Sequence, residues 1–205
     1  MNTLVLLLFR IGAFFSYVPK KLRRNNQLQN NNQEQLIAKN EYIEHQNELT
    51  SLIIGKKPVS YSGCGAIAVF NILKIFKNNP TVQDFSNIIS CFEKNGLVFS
   101  GMFGISPVSI KKLLLEKGFF VKGIKSSDSN ALDTFGNNFD GYISVFFNKN
   151  KNIRYGLHYI AIEKNENGFE SHNPNKTGST LSEVIFNASY NIGTPLYTIG
   201  ISERI

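Results

Sequence analysis

Apolar positions recur at helical spacing most clearly after Cys64. Ile67, Phe70, Ile72, Leu73, Ile75 and Phe76 line up behind a small, turn-forming segment, Ser60-Tyr61-Ser62-Gly63. The pattern predicts a loop that becomes a helix, with Cys64 at or near its start. Asn78-Asn79-Pro80 stops that helix. Thr81 then caps a short helix carrying Phe85, Ile88 and Ile89. Residues 96–104 read as a Gly- and Phe-rich loop. Ser106-Pro107 opens another helix, with Pro107 at its first position and Val108, Ile110, Leu113, Leu114 and Leu115 as its apolar side. Gly118 ends it.

From there the period shortens. Residues 119–124 read as a strand, 127–135 as a short helix, and 142–147 as a strand with a nearly continuous apolar run. In 157–163, Leu157, Tyr159, Ala161 and Glu163 alternate with His158, Ile160 and Ile162. Glu166-Asn167-Gly168 is a tight hairpin turn, and 169–172 returns to end at Asn173-Pro174-Asn175. A helix at 181–188 and a strand at 196–202 close the chain. Helices come first and the strands run through hairpins, so the expected fold class is α+β with a mostly antiparallel sheet.

The beginning of the chain has a different character. Residues 4–18 are apolar apart from Arg10 and Ser16, and Lys20, Lys21, Arg23 and Arg24 follow. The run is short for a membrane span, and its charges lie on the wrong side for a secretory signal. The reading for 1–24 is a helix packed on the domain or lying on a membrane surface, with a degenerate export signal left open. Residues 25–35 form an Asn/Gln tract that reads as a linker. A helix is expected over 35–52, with Leu36, Ile37, Tyr42, Ile43 and Leu49 on its apolar side. Three segments result: 1–24, 25–55 and 56–205.

Composition narrows the function only a little. The 205 residues, 42% of them hydrophobic, suffice for one domain with a sizeable core. A net charge of +7 leaves room for an anionic partner, but the lysines are scattered and no nucleic-acid motif is present. No nucleic-acid partner and no cofactor are expected. Two cysteines, Cys64 and Cys91, make no disulfide framework, and Cys and His lack the close pairing of a metal site. A reduced Cys64 fits a reducing compartment, so the cytoplasm is expected, with weak membrane-surface contact through 1–24 and export left open.

Chemistry concentrates on Cys64. At a helix start, the dipole and free N–H groups favour thiolate over thiol. Gly63 and Gly65, without a Cβ, leave room for a substrate backbone near the sulfur. The competing reading is a small buried cysteine packed like an alanine. A nucleophilic cysteine needs a base. His45 sits in a polar stretch, His158 opens a strand, and His172 ends the next. The hairpin brings the start of one strand opposite the end of its partner, which makes His158 and Asn173 neighbours. An Asn amide oxygen accepting from one imidazole nitrogen would leave the other facing the sulfur. The alternatives are a core histidine and ordinary turn chemistry for Asn173. Asp140 and Glu163 are less attractive orienting groups, because the hairpin places neither.

Gly63-Cys64-Gly65-Ala66 with Asn71, then Gly156-Leu157-His158-Tyr159-Ile160-Ala161-Ile162, then His172-Asn173-Pro174, resemble the papain-like cysteine peptidases. The nearest flavour is the bacterial leader-peptide (bacteriocin-processing) peptidases. The resemblance spans about residues 58–202. It implies a papain-like domain over 56–205 with the Cys helix packed on the sheet, and a Cys64-His158-Asn173 triad. That triad would cleave a peptide or protein substrate through a thioester acyl-enzyme. Members of that group carry a Gln several residues before the Cys, whereas Lys57-Pro58-Val59-Ser60-Tyr61 has none. Ser60 or Ser62 stands in as the expected oxyanion donor, beside the Cys64 N–H. Two alternatives remain: an acyltransferase, transglutaminase or deamidase using the same acyl-enzyme, and a non-catalytic peptide-binding module.

Overall fold

The computed structural model describes residue 37 and residues 42–76, 79–148 and 156–204. The helix expected over 1–24 and the linker over 25–35 lie outside the described residues, as do most positions between 35 and 41.

Residues 42–52 do not continue the helix expected over 35–52. They form an irregular strap with one 3-10 turn, Gln46–Glu48. The reason is tertiary. Ile43, Leu49 and Leu52 are buried in the same core as the Cys64 helix. Ile43 donates its N–H to the Asn71 side-chain oxygen at 2.9 Å and accepts from the Asn71 amide nitrogen at 3.1 Å. A helical ladder would have to give up these bonds, and Tyr42, Ile43, His45, Asn47, Thr50 and Ser51 have little helix propensity with which to compete.

After the strap, β1 (Ile53–Ile54) and β2 (Lys57–Pro58) form a small hairpin. A single turn of helix, α1 (Val59–Ser62), leads into α2 (Cys64–Ile75). Residues 64–73 of α2 are all buried. A helix apolar all round is one enclosed on every side. Here the strap, the sheet and α3 (Val82–Asn95) enclose it. Thr81 caps α3 through a reciprocal pair with Asp84, as the pattern predicted, although the helix is longer than expected. A loop with a 3-10 turn at Phe99–Gly101 precedes α4 (Pro107–Glu116), which has Pro107 in its first turn.

The remaining elements are β3 (Phe119–Lys125), α5 (Ser129–Gly136), β4 (Gly141–Asn148), β5 (Gly156–Asn165), β6 (Gly168–His172), β7 (Lys176–Gly178), α6 (Leu181–Ile192) and β8 (Gly193–Glu203). The sheet order is β3-β8-β4-β5-β6-β7, and each of these pairings is antiparallel. The fold is α+β. β7 was not expected; it is three residues long, and its half-exposed residues carry no apolar signal.

Strand alternation sorts the core into two layers. Leu157, Tyr159 and Ala161 of β5 pack with Ile143, Val145 and α2 on one face. Ile160 and Ile162 pack with Tyr142, Phe146 and α6 on the other. Among the described residues, no helix is long and apolar enough to cross a membrane.

Asn71 is the buried polar link between strap and α2. Asn71→Ala strands both main-chain groups of Ile43 in the core, an expected loss of about 2–4 kcal/mol. A fall in the urea midpoint with an unchanged slope would show it; a midpoint within experimental error of the wild type would refute the link.

Candidate active site

The first turn of α2 meets the first residues of β5. Cys64 is 3% exposed there, and its thiol donates to the Leu157 main-chain oxygen at 3.5 Å. The two flanking glycines serve this packing. A Cβ at Gly63 would lie 2.3 Å from a Val59 methyl, and one at Gly65 would lie 3.0 Å from Ile105. The chain itself takes the room expected to admit a substrate backbone. The two glycines let α1, α2 and the 96–105 loop close together.

His158, one residue past Leu157, is half-buried. Its Nε2 lies 3.1 Å from the main-chain oxygen of Asn173. A carbonyl only accepts, so Nε2 carries the proton and Nδ1 keeps its lone pair. The partner differs from the expected one: Asn173 orients the ring through its backbone, not its side-chain amide. The ladder explains this. Its last β5–β6 pair is Ala161↔His172, so Asn173 lies beyond the strand, in a left-handed conformation at φ 63°. Asn tolerates that region better than other non-glycine residues. In this corner the amide turns toward the strap. Asn173 Nδ2 donates to the Gln46 side-chain oxygen at 3.2 Å, and the Gln46 N–H donates to Asn173 Oδ1 at 3.4 Å.

Cys64, His158 and Asn173 line one cavity of about 280 Å³ together with Glu44, Gln46, Ser60, Tyr61, Met102, Phe103 and Leu157. Ser60 is therefore at the cleft. Ser62 is not: its hydroxyl donates to the Gly101 oxygen at 2.5 Å, which uses its only proton and corrects its expected role as oxyanion donor. Glu163 is tied to Tyr42 at 2.8 Å, away from His158. Gln46 and Glu44 were not singled out from sequence. They sit in a polar stretch without periodicity, and nothing local marks them; only the fold brings them to Asn173. Gln46 also donates to the main-chain oxygens of Val59 at 3.0 Å and Ser60 at 3.3 Å. It thereby fastens the segment before Cys64 to the Asn173 corner.

Burial governs the protonation of the pair. It pushes the Cys64 thiol up to about 11, against the N–H groups of Tyr159, Gly65 and Cys64, which favour the thiolate. Burial likewise lowers the His158 pKa, against its bond to Asn173. The resting cavity is therefore lined by a neutral thiol and a neutral imidazole. This reverses the expectation that the helix start would leave Cys64 ionised. Among the described residues, no group of three His, Cys, Asp or Glu is placed to hold a metal ion.

No protein-family model matches the chain, and no curated protein matches it. Among solved structures it is similar to the peptidase domain of Streptococcus ComA, a bi-functional ABC transporter involved in a quorum sensing pathway. That similarity has a TM-score of 0.44 and 14% identity, over 69% of this chain and 91% of that one. It is also similar to the Pseudomonas avirulence protein AvrPphB, with a TM-score of 0.37 and 11% identity over 67% and 89%. Both likenesses are partial, and the chemistry of the site rests on its own residues.

A neutral resting thiol has a signature. The rate of Cys64 alkylation by iodoacetamide should climb with pH through the alkaline range toward about 11, the value to which burial pushes the thiol. Mass spectrometry of the modified peptide checks this. A rate already level at neutral pH would mean that the thiolate predominates.

Proposed function

We propose that the chain is a cysteine hydrolase that cleaves an amide bond in a peptide or protein. The observation that carries this reading is the convergence of Cys64, His158 and Asn173 on one cleft, with the imidazole held through Nε2 and Nδ1 left basic. In the proposed reaction the Cys64 thiol turns from the Leu157 oxygen and gives its proton to Nδ1 as sulfur attacks the substrate carbonyl. The N–H groups around the first turn of α2 stabilise the developing negative charge. The tetrahedral adduct collapses, the C–N bond breaks, and Nδ1 returns the proton to the leaving amine. Water then enters, loses a proton to Nδ1 and cleaves the thioester, restoring the thiol.

The same residues that resemble the papain-like peptidases occupy these positions, which supports the assignment. Asn173 takes the third role through its carbonyl. The proposed setting is a reducing one, the cytoplasm, because the mechanism needs Cys64 free; contact of residues 1–24 with a membrane surface belongs to the same proposal.

One observation favours a second reading. The thiol is buried, protonated and bonded to Leu157 rather than to the imidazole. That is the state of an unreactive cysteine, and it fits a peptide-binding module without catalysis. A peptide library read by mass spectrometry separates the two. The hydrolase reading expects cleavage that Cys64→Ala and His158→Ala each reduce by about a thousandfold or more, with Cys91→Ala active. Binding of peptides with no cleavage, and equal binding by Cys64→Ala, would favour the module. Cleavage untouched by Cys64→Ala would end the proposal.

A further inference from the structure

A second cluster of titratable groups adjoins the cleft, and its Glu44 reaches the cavity wall. Glu44, in the strap, uses both carboxylate oxygens on consecutive residues. Oε1 lies 2.6 Å from His172 Nδ1, and Oε2 accepts the Asn173 N–H at 2.8 Å. His172 is 2% exposed and stacked on Tyr42, with ring centroids 3.7 Å apart. Its Nε2 lies 3.7 Å from Glu163, too long for a hydrogen bond, and Glu163 is held by the Tyr42 hydroxyl. Burial raises the Glu44 pKa, but the bonds from His172 and the Asn173 N–H outweigh it and hold the carboxyl below its usual value. Glu44 is thus a carboxylate at neutral pH, and its bonds are charge-assisted.

Asn173 joins this cluster to His158. Its N–H points to Glu44 and its carbonyl to His158 Nε2. Its left-handed backbone, at φ 63°, is the conformation that aims the two groups at different partners. The cost of that conformation must be met by bonds formed at the corner.

We infer that Glu44 is a positioning residue for the His158 imidazole: by anchoring the Asn173 N–H and the His172 ring, it fixes the corner whose carbonyl accepts the His158 Nε2 proton. The inference rests on the proposed role of His158 as base. It adds a residue that lies outside the expected triad and 114 positions before the histidine it serves (158 − 44). The Asn173 side chain then belongs to the strap, its carbonyl keeps the third role, and the Glu44 carboxylate supports that carbonyl from the other side of the Asn173 Cα. Glu44 acts through Asn173 and needs no contact with substrate.

The test uses the full chain and follows the His158 Nε2 proton by nitrogen-15 NMR. In the wild type this proton is expected in slow exchange with water. Glu44→Gln keeps the volume but carries no charge and one acceptor oxygen, so the Asn173 N–H and the His172 ring lose the charge-assisted carboxylate that both share, even with the amide donating to His172 Nδ1 in its other tautomer. Exchange should quicken several-fold in Glu44→Gln and about ten- to a hundredfold in Glu44→Ala, the equivalent of one hydrogen bond to a charged group. The labelling rate of half-buried Cys91 reports folding in each variant, and the near-isosteric Glu44→Gln decides the matter if Glu44→Ala unfolds. Wild-type exchange in a folded Glu44→Gln, or a lower melting temperature with His158 exchange unchanged, would show that Glu44 serves stability alone. The readout needs no substrate. A chain that cleaves nothing yet shows the gradient loses the hydrolase proposal and keeps the clamp. A chain that cleaves equally well in all three forms, with equal exchange, keeps the hydrolase and loses the clamp.

Discussion

The abutment of the first turn of α2 on the opening residues of β5 determines the rest of the cleft. For the Cys64 sulfur to reach the Leu157 carbonyl, the helix must start within van der Waals contact of the strand, and neighbouring segments must close around it. Gly63 and Gly65 permit that closure because a methyl group at either would press on Val59 or Ile105. The Tyr159 hydroxyl bonds the Ile105 carbonyl from the same face of β5, which ties the 96–105 loop to the strand. Gln46 ties the residues before Cys64 to the corner after β6. Each contact brings a segment to one seam, and the cavity is the space they leave.

That tightness has an electrostatic consequence. A helix N-terminus favours a nearby anion by roughly 0.3–1 kcal/mol. Moving the thiol from its ordinary 9.0 to about 11 disfavours the thiolate by about 3 kcal/mol. Burial is the larger effect, so the resting site is uncharged even though the N–H groups point the right way. Those groups still matter. They are oriented before any charge appears, in a place from which water is largely excluded, where a developing anion interacts with them strongly. These N–H groups would favour negative charge on sulfur once the thiol loses its proton.

The sequence showed much of this because the relevant signals were local. The 3.6-residue spacing behind Cys64, the Thr81 cap, Pro107 at the head of its helix and the turn at Glu166-Asn167-Gly168 each need only a few neighbouring residues to be read. The hairpin register ends at Ala161 and His172, so Asn173 meets His158 from beyond the ladder and not as its cross-strand partner. What could not be read depends on partners distant in the chain. The 42–52 strap gives up helix for Asn71, and Ser62 gives its hydroxyl to Gly101. Asn173 passes its amide to Gln46 because a left-handed residue beyond the last ladder pair no longer points along the strand. The neutral state of Cys64 departs from the helix-start expectation for a related reason: the dipole can be read from a helix start, but desolvation is a property of everything packed around it.

The strap belongs to the same folded unit as the cleft. A boundary at residue 56 follows from the polar composition upstream, yet Ile43, Leu49 and Leu52 fill the same core as α2, and Glu44 and Gln46 grip the corner beside His158. In residues 43–46 the roles alternate. Ile43 and Gln46 are buried, while Glu44 is half-buried and His45 exposed. The apolar anchors fix where the strap lies, and the polar residues between them are thereby aimed at Asn173. Because His158 is held by a carbonyl, the chemistry at that position does not require an amide side chain. It requires a backbone bent in one particular way and something to keep it bent. The amide of Asn173 contributes by bonding the main chain and the side chain of Gln46, the carboxylate of Glu44 by bonding the Asn173 N–H, and both reach the His158 ring through that corner. The packing of residues 42–46 thus fixes the corner that holds the His158 ring.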